Sequence, residues 1–419
     1  MTSQIKQRIE QIRRGEVPEG YKRTKAGIMP NDWDVYKLSS ISSRITKKNT
    51  DGKIKTTFTN SATQGVIKQT DYFDKEISNK ENITGYYVVQ ENDYIYNPRI
   101  SASAPCGPIN KSHFEEQGVV SPLYTVFKMN DDMQKNRYIE FYLKSSFWHR
   151  YMCGVANYGA RHDRMNITNE DLFAMPVPFP THDEQEKIAE ILSAQEKLIE
   201  LKEKLVEEKK RQKKYLMQQL LTGKKRMPGF SGEWIDVKLG EVFAERVETN
   251  CQNLELLSVT GTNGVVPRST IEIKDNSSED KSKYLKICKG DIGYNTMRMW
   301  QGVSALSNYE GIVSPAYTIL IPNDKISAKY FSYLFKMYAV IFLFYRFSQG
   351  IVDDTRSLKY HEFAKLHLIV PKNKKEQEAI AEILTISDQE IEILQKELDQ
   401  EKQKKKALMQ LLLTGIVRV

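Results

Sequence analysis

Nine residues, Glu184-Gln185-Glu186-Lys187-Ile188-Ala189-Glu190-Ile191-Leu192, return as Glu376-Gln377-Glu378-Ala379-Ile380-Ala381-Glu382-Ile383-Leu384, a displacement of 192 residues (184 to 376). The same displacement carries Leu216-Met217-Gln218 and Leu221-Thr222-Gly223 onto Leu408-Met409-Gln410 and Leu413-Thr414-Gly415. A chain with this self-similarity has to be read as two copies of one unit. Residues 183–221 hold no glycine or proline and are dominated by helix formers, with apolar residues at Ile188, Ile191, Leu192, Leu198, Leu201 and Leu205. The second copy places Ile380, Ile383, Leu384, Ile391, Leu394 and Leu398 in the same way. Two long amphipathic helices follow, each closed by the glycine of a Thr-Gly pair, a residue suited to the C-terminal cap.

An apolar stripe of this length must be buried against something. Pairing of the two helices as a coiled coil is expected, with Ile188, Ile191, Leu198, Leu205 and Leu216 of the first and Ile380, Ile383, Leu394, Leu398 and Leu408 of the second forming the helix-pair and partner interface. Residues 207–214 and 399–406 are wholly polar and read as a lapse in both stripes, a segment with nothing buried to break. At 1.5 Å per residue a helix of about 39 residues spans roughly 58 Å, or about 17 base pairs of duplex.

Upstream of each helix lies a looser repeat. Trp33, Lys37 and Leu38 correspond to Trp234, Lys238 and Leu239, Tyr96-Asn97 to Tyr294-Asn295, and Gly118-Val119-Val120-Ser121-Pro122 to Gly311-Ile312-Val313-Ser314-Pro315, followed by Tyr124-Thr125 and Tyr317-Thr318. The displacement drifts, as expected of one scaffold whose loops differ between copies. Short β-rich runs punctuated by glycine, proline and asparagine make these regions globular α+β domains, with helices expected over residues 137–148 and 328–347. The organisation is a helical segment over residues 1–20, a first globular domain over 21–182, a helical spacer over 183–223, a second globular domain over 224–373 and a second spacer over 374–419.

Lysine and arginine total 62 against 54 acidic residues, and the formal charge of +8 leans toward a polyanionic partner. The four cysteines, Cys106, Cys153, Cys251 and Cys288, show no metal-ligand spacing and fit reduced thiols in a cytoplasm. Charge near the N-terminus stands where a signal peptide would place its apolar core. Residues 338–345 are the most apolar run, too short for a membrane span, and read as a buried helix.

Two variable domains, each followed by a near-identical helix opening Glu-Gln-Glu-x-Ile-Ala-Glu-Ile-Leu and closing Leu-x-x-Gly, resemble the specificity subunits of Type I restriction-modification systems. Met29-Pro30-Asn31-Asp32-Trp33, the Val-Ser-Pro-x-Tyr-Thr motif of both domains and Pro176-Val177-Pro178-Phe179-Pro180 add to the resemblance. It implies two target recognition domains held by an antiparallel helical pair of pseudo-twofold symmetry. It also implies a bipartite, asymmetric double-stranded DNA target, and a complex with two methyltransferase and two restriction/translocase subunits.

Base edges are read mainly by arginine, lysine, asparagine and glutamine. The candidates for DNA contact are Asn97, Arg99, Arg161 and Arg164 in the first domain and Asn295, Arg298 and Arg356 in the second, although the shared Tyr-Asn pairs can equally hold the scaffold. No catalytic, cofactor or metal site is legible. Leu221-Thr222-Gly223-Lys224-Lys225 lacks the first glycine and the final hydroxyl residue of a phosphate-binding loop. Asn97-Pro98-Arg99-Ile100 departs from the Asn-Pro-Pro-Tyr/Phe motif of amino-methyltransferases, and the six histidines show no metal spacing. The competing readings are a coiled-coil interaction scaffold without sequence-specific DNA binding, and a DNA methyltransferase or nuclease with an unfamiliar site.

Overall fold

The computed structural model describes residues 3–419 apart from 73–82, 135, 157–163, 262–263, 272–277, 351 and 353–354. The chain divides into two compact units, Met1–Leu201 with Leu398–Val419, and Lys202–Glu397. Each unit therefore holds one globular head, the first half of the helix that follows it, and the second half of the other long helix.

The two heads repeat one topology. In the first, Asp34–Lys37 pairs with Pro176–Phe179, and a four-stranded antiparallel sheet runs in the order Ser42–Ile45, Thr125–Met129, Tyr94–Tyr96, Ile109–Lys111. In the second, Trp234–Lys238 pairs with His367–Pro371, and the sheet runs Phe243–Glu245, Tyr317–Pro322, Ile292–Asn295, Ser304–Leu306. The hairpins Phe58–Ser61/Gly65–Lys68 and Leu257–Thr260/Gly264–Pro267 are likewise equivalent. The inner strands are buried on both faces: Tyr94, Tyr96 and Phe127 pack into one hydrophobic cluster and Ile95 and Val126 into another, as Ile292, Tyr294 and Leu320 and, oppositely, Ile319 do in the second head.

The helix expected over 137–148 ends at Lys144, and a second one, His149–Val155, begins beyond it; the helix expected over 328–347 is broken into Ala328–Leu334 and Tyr338–Phe347. The last of these corrects the expectation of a buried helix. Val340 and Phe344 are buried, but Tyr338 is 83% exposed and Phe342 48%, because ten residues in helical conformation turn only one face to the sheet.

The long helices are His182–Leu220 and Lys374–Leu412, 39 residues each. Their less exposed positions follow an alternating spacing of four and three. In the first these are Ile188, Leu192, Gln195, Ile199, Lys202, Val206, Lys209, Lys213, Leu216 and Leu220; in the second they are the residues 192 positions later, Ile380 to Leu412. This is a heptad seam, repeated residue for residue. Of the residues expected at the helix-pair and partner interface, two fall outside the helix-pair seam. Leu198 and Leu205 are 37% and 40% exposed and lie one residue off the seam, beside exposed Leu201. Ile188, Leu216, Ile380, Leu394, Leu398 and Leu408 lie on the seam, and Ile191 and Ile383 flank it, packed against the head cores.

Within each unit the helices run antiparallel. In the first, Gln195 donates to the Glu401 carboxylate at 2.7 Å and Lys405 to Glu196 at 2.7 Å. In the second, Lys202 pairs with Glu397 and Lys209 with Glu390, each at 2.6 Å, and Lys213 pairs with Asp388. Residue numbers fall on one helix as they rise on the other, and Lys213–Asp388 is the repeat image of Lys405–Glu196. The polar segments thus carry ion pairs, with lysine stems covering the seam, and are not the free stretches expected from sequence. Each helix ends on a backbone bond that reaches back six residues, from the Lys225 amide to the Gln219 carbonyl and from the Val417 amide to the Leu411 carbonyl, around Gly223 and Gly415 at φ +70° and +66°.

Candidate nucleic-acid interface

The repeated Tyr-Asn pairs end the central strand of each sheet. Asn97 is buried; its amide nitrogen donates to the Asn60 carbonyl at 3.0 Å and to the Tyr124 hydroxyl at 3.3 Å, and its side-chain oxygen accepts the Arg99 amide at 3.0 Å. Asn295 accepts the Met297 amide at 3.0 Å and is hydrogen-bonded to Tyr317, the counterpart of Tyr124. In both heads the asparagine makes an Asx turn that swings the chain out of the strand. Asn97 and Asn295 are therefore scaffold positions, a correction to their candidacy as readers: their polar atoms are spent inside the head.

The Val-Ser-Pro-x-Tyr motif serves the same junction. Ser121 accepts the Leu123 amide on its hydroxyl and the Tyr124 amide on its carbonyl, at 3.3 and 3.0 Å; Ser314 repeats this with Ala316 and Tyr317 at 3.3 and 3.1 Å. The turn aims each tyrosine at its asparagine.

Beyond the Asx turn come the arginines. Arg99 is exposed, and its backbone forms an antiparallel bridge with Arg164, while the Met165 amide donates to the Pro98 carbonyl at 2.8 Å. In the second head the Leu358 amide donates to the Thr296 carbonyl at 2.9 Å, which brings the segment carrying Arg356 beside the loop carrying exposed Arg298. Arg161 lies outside the described residues. One backbone clasp therefore sets two arginines on adjoining loops in each head.

Around those arginines the heads differ. The Arg356 guanidinium lies 4.1 Å over the Tyr345 ring and donates to its hydroxyl at 3.0 Å; Trp300 approaches Tyr345 edge-on at 6.1 Å, and Phe342 stacks at 6.5 Å. An aromatic platform with cation–π contact is suited to base edges and thymine methyls. Sequence reasoning missed it because residues 338–345 read as core. The first head also has, away from Arg99 and Arg164, a concave surface of about 410 Å³ lined by Thr63, Gln64, Ser103, Asn110, His149 and Lys144 together with Glu196 and Lys405 of the long helices. Nearby, buried Glu140 binds His113 at 3.2 Å and Lys144 at 2.8 Å; against the burial that would raise it, these two partners hold its carboxyl down to about 2.

Among the described residues no group of three histidine, cysteine or acidic side chains is placed to hold a metal ion, and no helix is long and apolar enough to cross a membrane.

Comparison with known proteins follows the same duplication. The model of the Type I restriction modification DNA specificity domain matches twice, over residues 30–210 and 231–402. A putative type I restriction enzyme MjaX specificity subunit of Methanocaldococcus jannaschii is 25% identical, over 96% of this chain and 97% of its own. Two solved chains share the fold. One, from a study of complex assembly and conformational transition of the type I R-M system, gives a TM-score of 0.55 at 13% identity, covering 93% of this chain and 99% of the other. The other, the Type-I restriction-modification system S subunit from M. genitalium, gives 0.52 at 16% identity over 91% and 96%. Two matches in tandem, spanning both heads and most of both long helices, place this chain in the Type I restriction-modification DNA specificity family, whose members recognise the DNA target and do not themselves catalyse.

Proposed function

We propose that the chain reads a bipartite, asymmetric site in double-stranded DNA, one half-site per head, and brings two methyltransferase and two restriction/translocase subunits to it in the cytoplasm. The observation that carries this reading is the repeated clasp: the same backbone bond presents Arg99 with Arg164 in one head and Arg298 with Arg356 in the other. Arginine supplies both bidentate guanine contacts and phosphate contacts, so such a pair serves base readout and positioning together. The heads differ around these pairs: Arg356 rests on Tyr345 of the aromatic-rich helix Tyr338–Phe347, whereas the corresponding helix of the first head, His149–Val155, carries a single tyrosine. Two unlike readers on equivalent scaffolds read different sequences, hence the asymmetric target.

The exposed Leu198, Leu201 and Leu205 on one long helix, with Ile386 and Ile393 on the other, are left for the methyltransferase subunits. Exposed leucines at helical spacing fit a partner helix laid along them. The test is exchange of residues 21–182 for the first head of another family member, followed by methylome sequencing with the methyltransferase present. One half-site changes and the other is retained. A methylome in which both half-sites change rejects independent reading, and the absence of sequence-specific methylation favours a scaffold without DNA recognition.

A further inference from the structure

Two thiols meet in the first head. Cys106 is buried at the end of the loop that begins at Asn97, and Cys153 is exposed on the helix His149–Val155. Their sulfurs lie 3.3 Å apart across 47 residues of chain, and Cys106 also lies 3.7 Å from the His149 carbonyl. A disulfide needs the sulfurs at about 2.05 Å, so closure asks for roughly 1.2 Å of approach, within reach of side-chain rotation and a small loop shift.

We propose that Cys106 and Cys153 form a redox modification site, at which hydroperoxides convert the dithiol to an intramolecular disulfide that fastens the 97–107 loop to the helix His149–Val155. Cys153 reacts first, because it is the exposed thiol. Its thiolate attacks a peroxide oxygen, the O–O bond breaks, and one water leaves as the cysteine becomes a sulfenic acid. Cys106 then attacks that sulfur; the S–S bond forms, the S–O bond breaks, and the departing hydroxide takes the Cys106 proton as a second water. Two thiols and one hydrogen peroxide thus give one disulfide and two waters, the thiols losing two electrons and the peroxide gaining them. Burial holds the Cys106 thiol up to about 12, which makes it a poor first nucleophile and leaves it the resolving role, where proximity compensates.

The loop is coupled to the candidate readers. The Tyr96 hydroxyl donates to the Cys106 carbonyl at 3.0 Å, and the Asn97 amide donates to the Pro108 carbonyl at 3.0 Å. Gly107 packs so closely on Asn97 that a Cβ there would sit 2.0 Å from the Asn97 carbonyl oxygen. Drawing Cys106 toward the helix therefore displaces the segment that carries Arg99. This consequence rests on the DNA reading; the thiol chemistry does not.

The reduced full-length chain is treated with a small excess of hydrogen peroxide, and free thiols are titrated and peptides mapped by mass. The expected result is a fall from four thiols to two, with Cys106 and Cys153 peptides linked and released by dithiothreitol. C153S forms no such link, and C106S accumulates a sulfenic acid at Cys153 that dimedone traps. Consumption of Cys251, Cys288 or Cys153 with Cys106 left free overturns the site. Binding of the cognate duplex should weaken several-fold on oxidation and recover on reduction, with C153S unaffected. An intact disulfide with unchanged affinity overturns the coupling, whereas a reduced chain that never binds DNA overturns only the DNA reading.

Discussion

Arg418 holds Glu184 through a two-pronged pair, Nε to Oε1 at 2.6 Å and Nη2 to Oε2 at 2.9 Å, on a carboxylate that is almost wholly buried. The Trp33 indole donates to the same carboxylate at 2.9 Å. Arg226 and Glu376 repeat the pair 192 residues away, at 2.8 and 2.9 Å. In each unit the arginine just past the end of one long helix fastens the first turn of the other. The copies differ at the tryptophan: the Trp234 indole nitrogen is without a hydrogen-bond partner, and its ring lies 5.8 Å under the Arg226 guanidinium.

Removing the arginine should cost more than neutralising the acid. R418A leaves a buried carboxylate with only an indole donor, and although solvent reaches the guanidinium side, the loss should be about 2 kcal/mol. E184Q keeps an acceptor for Trp33 and should cost about 1 kcal/mol or less. Urea denaturation of both variants, compared through their midpoints, checks the order. Equal losses would show that the carboxylate is not confined.

The seam and the exposed leucine stripe separate fold from assembly. L398K places a charge at a position 3% exposed and should destabilise the chain by about 2–5 kcal/mol, the range for core disruption. L198K, at an exposed position, should change stability by less than about 0.5 kcal/mol yet weaken association with the methyltransferase subunits. Thermal melts of the chain and gel filtration of the complex give the two readouts. An L198K chain that assembles as the unaltered one does would remove the stripe from the interface.

How far the sequence carried this pattern depends on what sets each position. The duplication, the two long helices and their glycine caps were legible because identity and composition encode them directly. The seam was displaced by one residue because Leu198, Leu201 and Leu205 are more apolar than Gln195, Lys202 and Lys209, and periodicity weighs hydrophobicity rather than the stems by which lysines cover a seam. Arg226 and Arg418 were within reach, since both follow Leu-Thr-Gly by three residues at the same displacement. Asn97 and Asn295 could not be sorted into reader or scaffold without their hydrogen bonds, and the Cys106–Cys153 meeting depends on tertiary folding alone.

Arginine substitutions should divide by head. R99A or R164A should relax or weaken recognition of one half-site, and R298A or R356A of the other, each by about 1–3 kcal/mol where the side chain reads a base. An arginine that touches phosphate alone should weaken all sequences alike and lower the salt dependence of binding by about one counterion. Anisotropy titrations on duplexes altered in one half-site, at several salt concentrations, distinguish the cases. Loss of both half-site preferences from a single-head substitution would contradict separate reading.

Glu140 gives a pH dependence of determinate sign. Its carboxyl is held down to about 2 in the folded head, below the ordinary value of 4.5, so the stability it contributes is present above pH 4.5 and is lost as pH falls toward 2. Because His113 is largely exposed, the contribution is on the order of 1–3 kcal/mol. The gap in stability between the parent chain and E140Q should therefore narrow between pH 5 and pH 3, as read by denaturant midpoints. A gap constant across that window would assign Glu140 a packing role only.

Changing the length of the long helices should change the unspecified gap of the target and leave the half-sites alone. Four residues added to one helix within 207–214 would pull Lys209 and Lys213 out of register with Glu390 and Asp388, so a single insertion is destabilising. Insertions opposite each other across the antiparallel pair, four residues between Lys209 and Lys213 on one helix and four between Asp388 and Glu390 on the other, add the same turn to each helix and keep these ion pairs in register. One turn is about 5.4 Å, somewhat over one base pair of rise, with little net rotation because four residues nearly complete a turn. Methylome sequencing of the doubly inserted chain should show a gap lengthened by one or two base pairs and unaltered half-sites. Altered half-site bases at an unaltered gap would mean that the helices contact bases or that the heads read cooperatively, and the spacing role would be lost.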